Sequence, residues 1–408
     1  MGGGGFWANR KERRKRIRKA IEFKIAAVVV FFLMLIKPFP FIWRLFPAGP
    51  PRHMCEYWTW DMLWTFVSSG GTKVLSDQPS FPRVPATFKP KVEVEPQYRL
   101  SEEQIKFFYD NGYLAPLKLF SPDEMAEILA EVENEVFEPG DVGRTYGRLA
   151  TYRKSKVYQG VRNSRDRHLD CPAVLKLALQ KGIYEQVAQL MGPDLLLWRT
   201  QLLPKYPGAP ETEWHQVSTF TMSGKGLRPV LEPPDRDDLF NVTVWLALED
   251  VDLDNGCMQF WKGSHRKPLH RIIINGGKSF ARTSFQLECN IPREELGDCV
   301  LKAGEFVIFH ERTVHGAPPN SSKTRRRFGM NYRICRPDVY IYRGMKRQQS
   351  NTFGEVFDLE NWTAVLARGE DKFHRNKVKR PEEIHLDGPP EPCPLTPEED
   401  RGQLVTVM

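Results

Sequence analysis

Residues 195–217 read LLLWRTQLLPKYPGAPETEWHQV, and this stretch decides the fold class. An apolar run is followed by a Pro-Gly loop and then by a histidine between aromatic and polar neighbours. Short β-rich runs, separated by Pro, Gly, Asn and Asp clusters, recur downstream at 241–248, 257–261, 300–310 and 325–334. Short strands at this density predict a sandwich or jelly roll of the cupin type.

Helices are expected in front of these strands. Ser101 with Gln104, and Ser121 with Glu124, each place a capping oxygen three residues before a Gln or Glu, which is a helix-start pattern. A further helix is predicted to end at Gly192. We therefore predict a mostly β fold with flanking helices: a double-stranded β-helix (jelly roll, cupin-like) core over residues 100–345, behind an N-terminal membrane segment.

The composition is that of a folded globular chain. Of 408 residues, 41% are hydrophobic and 12% are aromatic, and a disordered chain would be poorer in aromatics. The net charge is +8, but a basic run within residues 10–19 accounts for most of that excess. Because the excess is local, no nucleic-acid partner is expected.

The two ends of the chain carry separate signals. Residues 1–24 form a basic segment, and residues 25–46 are apolar over about membrane length, which predicts a single-pass membrane anchor. The basic residues favour a cytoplasmic N-terminus and a lumenal or extracytoplasmic main domain. Pro38 and Pro40 interrupt the segment, so a cleaved signal peptide or an interfacial or re-entrant helix are alternatives. Residues 47–99 are predicted to be a Pro-rich linker and residues 346–408 a C-terminal extension.

The seven cysteines form no Cys-x-x-Cys pair. This excludes an obvious zinc ribbon or thioredoxin-type site and leaves their redox state open.

Two of the nine histidines differ from the others in their setting. His215 follows the Pro-Gly loop, and His315, 100 residues later, is predicted to close the strand that covers residues 305–310. Two histidines from different strands that converge on one point suit Fe(II), whose usual ligand set adds one carboxylate. An arginine on the interior could bind a dicarboxylate. One face of the last predicted strand offers several polar candidates by period-two alternation: Arg325, Arg327, Gly329, Asn331 and Arg333.

Two further patterns are interpreted as structural. His168-Leu169-Asp170 matches a His-x-Asp pair but precedes a helical run, where Asp170 can cap the helix. Asp250, Asp252 and Asp254 resemble an acidic metal loop, but the stretch lacks the Gly and terminal Glu of a calcium hand. A hairpin turn at 254–256 is the better interpretation.

Nine short blocks occur in an order and at spacings that are typical of one family: WRT (198–200), PKYPG (204–208), WHQ (214–216), STF (218–220), SGK (223–225), TVW (243–245), NGC (255–257), GSH (263–265) and RFG (327–329). On these blocks, the region from Leu197 to Arg333, about a third of the chain, resembles the phytanoyl-CoA dioxygenase superfamily. Within it, the blocks are most similar to the branch of Fe(II)/2-oxoglutarate-dependent chlorinating enzymes.

The resemblance implies a set of site residues and cofactors. His215 and His315 would be the iron ligands, and Arg327 would bind the distal carboxylate of 2-oxoglutarate. Thr212 and Trp245 would line the cosubstrate pocket. The implied cofactors are Fe(II), 2-oxoglutarate and O2. Because three arginines are consecutive at 325–327, the choice among them stays open at this point.

Val217 departs from the family pattern, which places Asp or Glu there in hydroxylating members and a small Ala or Gly in halogenases. An isopropyl group cannot bind a metal, so three interpretations stay open. The first is halogenation with chloride or bromide, with Thr243 near the halide and Arg333 supporting it through water, although Met222 stands where a polar residue is expected. The second is oxygenation from a two-histidine site with water as third ligand. The third is a catalytically inactive binding protein.

The expected reaction is oxidation of an unactivated C–H bond in a small or lipid-like substrate that the sequence does not identify.

Overall fold

The computed structural model describes most of the chain. The described residues are 4–46, 55, 60–70, 73–75, 83–137, 165–169, 171–217, 222–223, 228–235, 237–266, 271–273, 286–287, 290–349, 356–359 and 362–384. The STF block at 218–220, the Asp170 cap, Cys289, Cys393 and much of the predicted linker and C-terminal extension lie outside them.

Seven α-helices lie within the described residues, in chain order: α1 Gly4–Ile36, α2 Pro40–Trp43, α3 Trp60–Ser68, α4 Glu102–Asn111, α5 Pro122–Phe137, α6 Pro172–Ala178 and α7 Lys181–Met191. Both predicted caps are confirmed. The Ser101 side chain accepts from the Gln104 N–H at the start of α4, and the Ser121 hydroxyl accepts from the Glu124 N–H at the start of α5. The helix predicted to stop at Gly192 is α7, which does so.

The predicted membrane anchor at residues 25–46 is wrong. The segment is divided between α1 and α2 by the turn that follows Ile36. The uncharged part of α1, Ile25–Ile36, spans about 18 Å at 1.5 Å per residue, against the roughly 30 Å of a bilayer core. Within the described residues, no helix is both long enough and apolar enough to cross a membrane. The expected single-pass topology, with a lumenal or extracytoplasmic main domain, is therefore wrong as well. The other predicted domain boundaries stay predictions.

The strands are short, as the sequence predicts. They are β1 Lys73–Leu75, β2 Tyr113–Lys118, β3 Leu195–Leu202, β4 Thr212–His215, β5 Met222–Ser223, β6 Arg228–Pro229, β7 Leu231–Glu232, β8 Asn241–Ala247, β9 Gln259–Trp261, β10 Arg271–Ile273, β11 Gln286–Leu287, β12 Leu296–Asp298, β13 Glu305–His310, β14 His315–Ala317, β15 Gly329–Cys335, β16 Tyr340–Ile341, β17 Arg347–Gln349, β18 Val356–Asp358, β19 Ala364–Arg368 and β20 Val378–Lys379.

Two sheets form the core. The large sheet has seven strands in the order β2-β13-β8-β15-β3-β19-β20, and the small sheet has four in the order β12-β9-β14-β4. Strands β19 and β20, which follow residue 345, extend the large sheet beyond β3. His315 does not close the strand that ends at His310, because it begins β14 in the small sheet. The mostly β core with flanking helices is confirmed.

The large sheet separates two apolar layers. Val244, Ile308 and Tyr332 point to one side and pack in the same core cluster as residues of α4, α6 and α7. Residues on the opposite face, among them Trp245 and Phe309, cluster with Phe260 of the small sheet. The interior between the sheets is the space into which site residues must point.

Gly329 shows how tightly this interior is filled. A Cβ atom at position 329 would lie 2.1 Å from Cζ2 of Trp245, far inside van der Waals contact. The absence of a side chain on β15 therefore lets the Trp245 indole lie across that strand.

We expect Gly329→Ala to destabilise the fold by about 1–3 kcal/mol, because the added methyl group overpacks the interior. Urea unfolding of the full chain would measure this. Val300→Ala is the control, because Val300 is 51% exposed and its truncation should change stability by less than about 0.5 kcal/mol. Equal stability of Gly329→Ala and the unmodified chain would contradict the packing described here.

Candidate metal centre

His215 and His315 face each other across two neighbouring strands. β4 and β14 are antiparallel, and their register places His315 directly opposite His215. The two imidazole ring centroids are 4.2 Å apart, with 52° between the ring planes. The pairing of two short strands thus brings together the two histidines that the sequence singles out.

Hydrogen bonds fix the tautomer of both rings. Nδ1 of His215 lies 2.7 Å from the carbonyl oxygen of Glu213, and Nδ1 of His315 lies 2.8 Å from that of Thr313. A carbonyl can only accept, so each Nδ1 carries the proton and donates it. Each Nε2 is left with a lone pair, which is the arrangement that metal-binding histidines share.

The surroundings keep both rings neutral. Phe309 lies 4.8 Å from the His315 ring, centroid to centroid, and Phe260 lies 6.0 Å from it. Burial lowers the pKa of His215 to about 4, and burial followed by the nearby His215 ring lowers the pKa of His315 well below its usual range. Neutral imidazole is the form that binds a metal ion.

Val217 is built into the apolar interior. Its side chain is 1% exposed and belongs to the cluster of Trp245, Phe260 and Phe309. Its N–H donates to the carbonyl oxygen of Glu311 at 2.9 Å. Within the described part of the chain, no group of three His, Cys, Asp or Glu residues could hold a metal ion. Among these residues, His215 and His315 thus form a pair of imidazoles without a carboxylate that completes a three-residue metal site.

The three consecutive arginines have different surroundings. Arg325 lies at the surface and binds Asp252 and Asp254, and Arg326 binds Glu133 and Glu249. Arg327 is 7% exposed. Its Nη1 donates to the carbonyl oxygen of Gly256 at 3.1 Å, and its guanidinium carbon lies 5.6 Å from the centre of the Trp245 ring. Only Arg327 of the three thus lies beside the interior tryptophan.

Lys205 is a second cation beside Arg327, and it was not among the site residues predicted from the sequence. Its backbone pairs with that of Arg327 in both directions, at 2.7 and 3.0 Å. Burial, and then the Arg327 charge, lower the pKa of Lys205 to about 7. Its Nζ donates to the carbonyl oxygen of Pro318. Its position in the PKYPG block was the available signal.

Comparison with known proteins identifies the family. The model of the phytanoyl-CoA dioxygenase (PhyH) family matches residues 108–328, more than half of the chain. The chain belongs to the phytanoyl-CoA dioxygenase family.

Relatives and solved structures agree with the assignment. Peroxisomal phytanoyl-CoA dioxygenase of Mus musculus is 27% identical over 257 residues, which are 60% of this chain and 71% of that protein. A probable alpha-ketoglutarate-dependent hypophosphite dioxygenase of Stutzerimonas stutzeri is 26% identical over 55% of this chain and 76% of that protein. The structure of CytC3 with Fe(II) and alpha-ketoglutarate superposes with a TM-score of 0.51 and 26% identity, covering 72% of this chain and 94% of that one.

The remaining predicted site residues of this phytanoyl-CoA dioxygenase family member lie on β4, β8 and β15. Thr243 and Arg333 are opposite each other in the β8–β15 register, and Arg333 Nη1 donates to the Thr243 hydroxyl at 3.2 Å. Thr212 begins β4 opposite Ala317. Burial, and then Arg199, lower the pKa of Arg333 to about 9.

The two patterns that were interpreted as structural have structural partners at their described residues. Nδ1 of His168 lies 2.9 Å from the Thr200 hydroxyl, so this buried histidine is tied to β3. Asp250 pairs with Lys302, and Asp252 binds Arg325 and the N–H of Asn255. These carboxylates support a turn at residues 253–256, but the predicted hairpin is wrong, because the flanking strands β8 and β9 lie in different sheets.

The described cysteines form no disulfide with one another, and all are buried: Cys55, Cys171, Cys257, Cys299 and Cys335. Burial raises the pKa of Cys257 to about 11, which makes this thiol a poor metal ligand at neutral pH.

Proposed function

We propose that the chain is a non-haem Fe(II)/2-oxoglutarate-dependent oxidoreductase that oxidises an unactivated C–H bond of a small or lipid-like substrate. The observation that supports this most directly is the pair of neutral imidazoles, His215 and His315, with both Nδ1 atoms held by backbone carbonyls. Two nitrogen donors in fixed orientation suit Fe(II). The family membership and the CytC3 comparison point to the same cofactors.

In this proposal the cosubstrate is held at the end of the interior where Arg327 and Lys205 lie. Arg327 would bind the distal carboxylate of 2-oxoglutarate, and Lys205 would add a second positive charge. Trp245, which lies against the Arg327 guanidinium, and Thr212 would complete the pocket. When bound, iron, 2-oxoglutarate and O2 supply the oxidising power. The protein's part is to orient the substrate C–H bond and to keep water out.

The third ligand position then separates halogenation from hydroxylation. Val217 supplies no oxygen at that position, and in this proposal water or a halide fills it. The Thr243–Arg333 pair favours a halide site, because it supplies a hydroxyl and a positive charge on the interior face. A catalytically inactive binding protein is the alternative if neither ligand completes the site.

The first test is metal binding. Anaerobic titration of the full chain with Fe(II) should show one site, and either His215→Ala or His315→Ala should abolish it, because one imidazole cannot retain the ion. His374→Asn is the matched control, because His374 is exposed and lies outside the site. Unchanged Fe(II) binding in both alanine variants would disprove the metal centre.

The cosubstrate site makes a second prediction. Arg327→Gln should weaken 2-oxoglutarate binding by about 30-fold or more, because it removes one partner of a buried charge pair. Arg325→Gln, at the surface, should leave the affinity unchanged. Calorimetric titration of the Fe(II)-loaded chain would measure both. Equal losses in the two variants would contradict the assignment of Arg327.

The Lys205 charge predicts a pH dependence. Its pKa of about 7 means that the amine is charged below pH 7 and neutral above it. The dissociation constant for 2-oxoglutarate should therefore increase as the pH is raised above 7, and Lys205→Met should bind with the weaker, high-pH affinity throughout. If the dissociation constant of Lys205→Met still changes with pH in parallel with that of the unmodified chain, this lysine is excluded as the cause.

A halide titration decides between the reactions. The charge-transfer absorption of the Fe(II)/2-oxoglutarate complex should shift with chloride or bromide if a halide occupies the third position. Val217→Asp should remove that shift, because it adds a carboxylate ligand. If the charge-transfer absorption of the unmodified chain does not change with halide, oxygenation is favoured. If there is no such absorption at all, the inactive binding protein is favoured.

A further inference from the structure

The three N-terminal helices expose more apolar surface than the rest of the described chain. Among the described residues, twenty large hydrophobic side chains are exposed, and fifteen of these lie within residues 17–67, on and beside α1, α2 and α3. We call these fifteen side chains the apolar patch. An exposed apolar area of this kind marks a surface that contacts another molecule or a membrane.

One face of α1 is apolar along most of its length. Six residues at spacings of three or four share this face, and each is between 47% and 60% exposed: Ile17, Ile21, Ile25, Val28, Phe32 and Leu35. This stripe is about 27 Å long at 1.5 Å per residue. On the opposite side of the helix, Val30 and Met34 pack against Leu63 of α3. One side of α1 thus rests on the protein, and the apolar stripe points away from it.

Aromatic side chains continue the patch onto the other two helices. The ring of Phe31 in α1 contacts that of Trp60 in α3, with 6.1 Å between centroids. Trp64 lies one turn farther along α3 and is 72% exposed, and Phe41 in α2 is 70% exposed. Tryptophan is enriched at membrane–water interfaces, and Trp and Phe are typical of the apolar faces of interfacial helices.

The charge of the chain is concentrated beside the patch. Residues 1–46 contain eleven Lys or Arg residues and two Glu residues, a net charge of +9, whereas the whole chain has +8. The rest of the chain is therefore nearly neutral. One of the two glutamates, Glu22, pairs with Arg18 at 2.8 Å.

This combination of charge and apolar surface selects among the possible partners. An anionic lipid bilayer offers negative headgroups for the basic residues and an apolar layer for the stripe. A second copy of this chain would bring the same positive charge against the patch, so its binding would be opposed by repulsion. A nucleic acid would match the charge but not the apolar side chains.

The helices connect to the strand that carries one of the candidate metal ligands. Helix α3 lies against β1, β1 pairs with β10, β10 pairs with β11, and β11 lies beside β4. Strand β4 ends at His215. A molecule or surface bound by these helices is therefore linked to the candidate site through a short series of neighbouring strands.

We propose that the apolar patch binds the surface of an anionic lipid bilayer, with α1 lying parallel to the membrane plane and not across it. The stripe runs lengthwise along α1, so all six of its side chains reach lipid together only in that orientation. The inference goes beyond the proposed function and needs neither iron nor cosubstrate. In the proposed function, this binding would bring the candidate site to lipid-like substrates.

The test is flotation of the full chain with vesicles on a density gradient. One set of vesicles contains phosphatidylcholine alone, and the other contains equal parts of phosphatidylcholine and phosphatidylglycerol. We expect binding to the anionic vesicles to be at least about tenfold tighter than to the neutral ones, and to weaken as salt is added, because exposed charges are screened. A wash with alkaline carbonate should release the chain, because it lies on the surface.

Matched variants define the surface. Phe32→Ser in α1 and Trp64→Ser in α3 should each weaken binding to the anionic vesicles by about tenfold or more, because each removes a large apolar side chain from the lipid. Both side chains are exposed, so the fold should be retained. Phe373→Ser is the control, because Phe373 is 49% exposed but lies outside the patch, and this variant should bind normally.

Three results would overturn the proposal. The first is no binding of the unmodified chain to anionic vesicles. The second is an equal loss in Phe32→Ser, Trp64→Ser and Phe373→Ser, which would show that the patch is not the contact surface. The third is retention after the carbonate wash, which would contradict the in-plane orientation. Self-association that Phe32→Ser abolishes, without vesicle binding, would mean that a second copy covers the patch.

The outcomes are separate from those of the proposed function. Fe(II) and 2-oxoglutarate should bind equally to Phe32→Ser and to the unmodified chain, because the patch lies outside the metal centre. If the unmodified chain binds vesicles but no Fe(II), the proposed function fails and this inference stands. If it binds Fe(II) but no vesicles, only this inference fails.

Discussion

The backbone pairing of β4 with β14 is the constraint on which the candidate site depends. These strands have four and three residues, and they come from parts of the chain about 100 residues apart. Their register alone places His215 opposite His315, and a slip of one residue would turn one imidazole away from the other. The carbonyls of Glu213 and Thr313 then fix each ring from within its own segment. The site is thus organised by main-chain geometry, with few side-chain contacts.

This organisation explains how the site tolerates an apolar residue at position 217. A carboxylate there would need hydrogen-bond partners in the interior, whereas Val217 packs against aromatic side chains at no polar cost. Two fixed imidazoles also bind a metal ion less tightly than a full three-ligand set. Among the described residues no carboxylate completes the pair, so in the proposed function the third ligand is water or a halide, and Arg333 lies on the same interior surface as Thr243.

The sequence predicts features that arise from local pattern and misses those that depend on tertiary structure. Capped helices, short strands and the inward face of β15 follow from spacing, and each is found where the pattern places it. The predicted membrane segment is wrong because its overall hydropathy was given more weight than a local signal: Pro38 and Pro40 interrupt the stretch, and α1 ends at Ile36. The contact of Arg165 and Arg199 with the Tyr342 hydroxyl could not be predicted, because these residues come from three distant segments and meet only when β3 and the chain after β16 are in place.

The residues of the candidate site follow one another in order along the interior face of β15. Along one face it carries Arg333 next to Arg199, then Asn331, then Gly329 beneath the Trp245 indole, and finally Arg327 just before the strand begins. Within the described part of the chain, Oδ1 of the buried Asn331 accepts no hydrogen bond, and such an atom is costly unless a ligand donates to it. Trp245 thus lies between Arg327 and the Arg199–Arg333 pair along this face. In the proposed function, β15 and the residues just before it supply both the cosubstrate anchor, Arg327, and Arg333 of the proposed halide site.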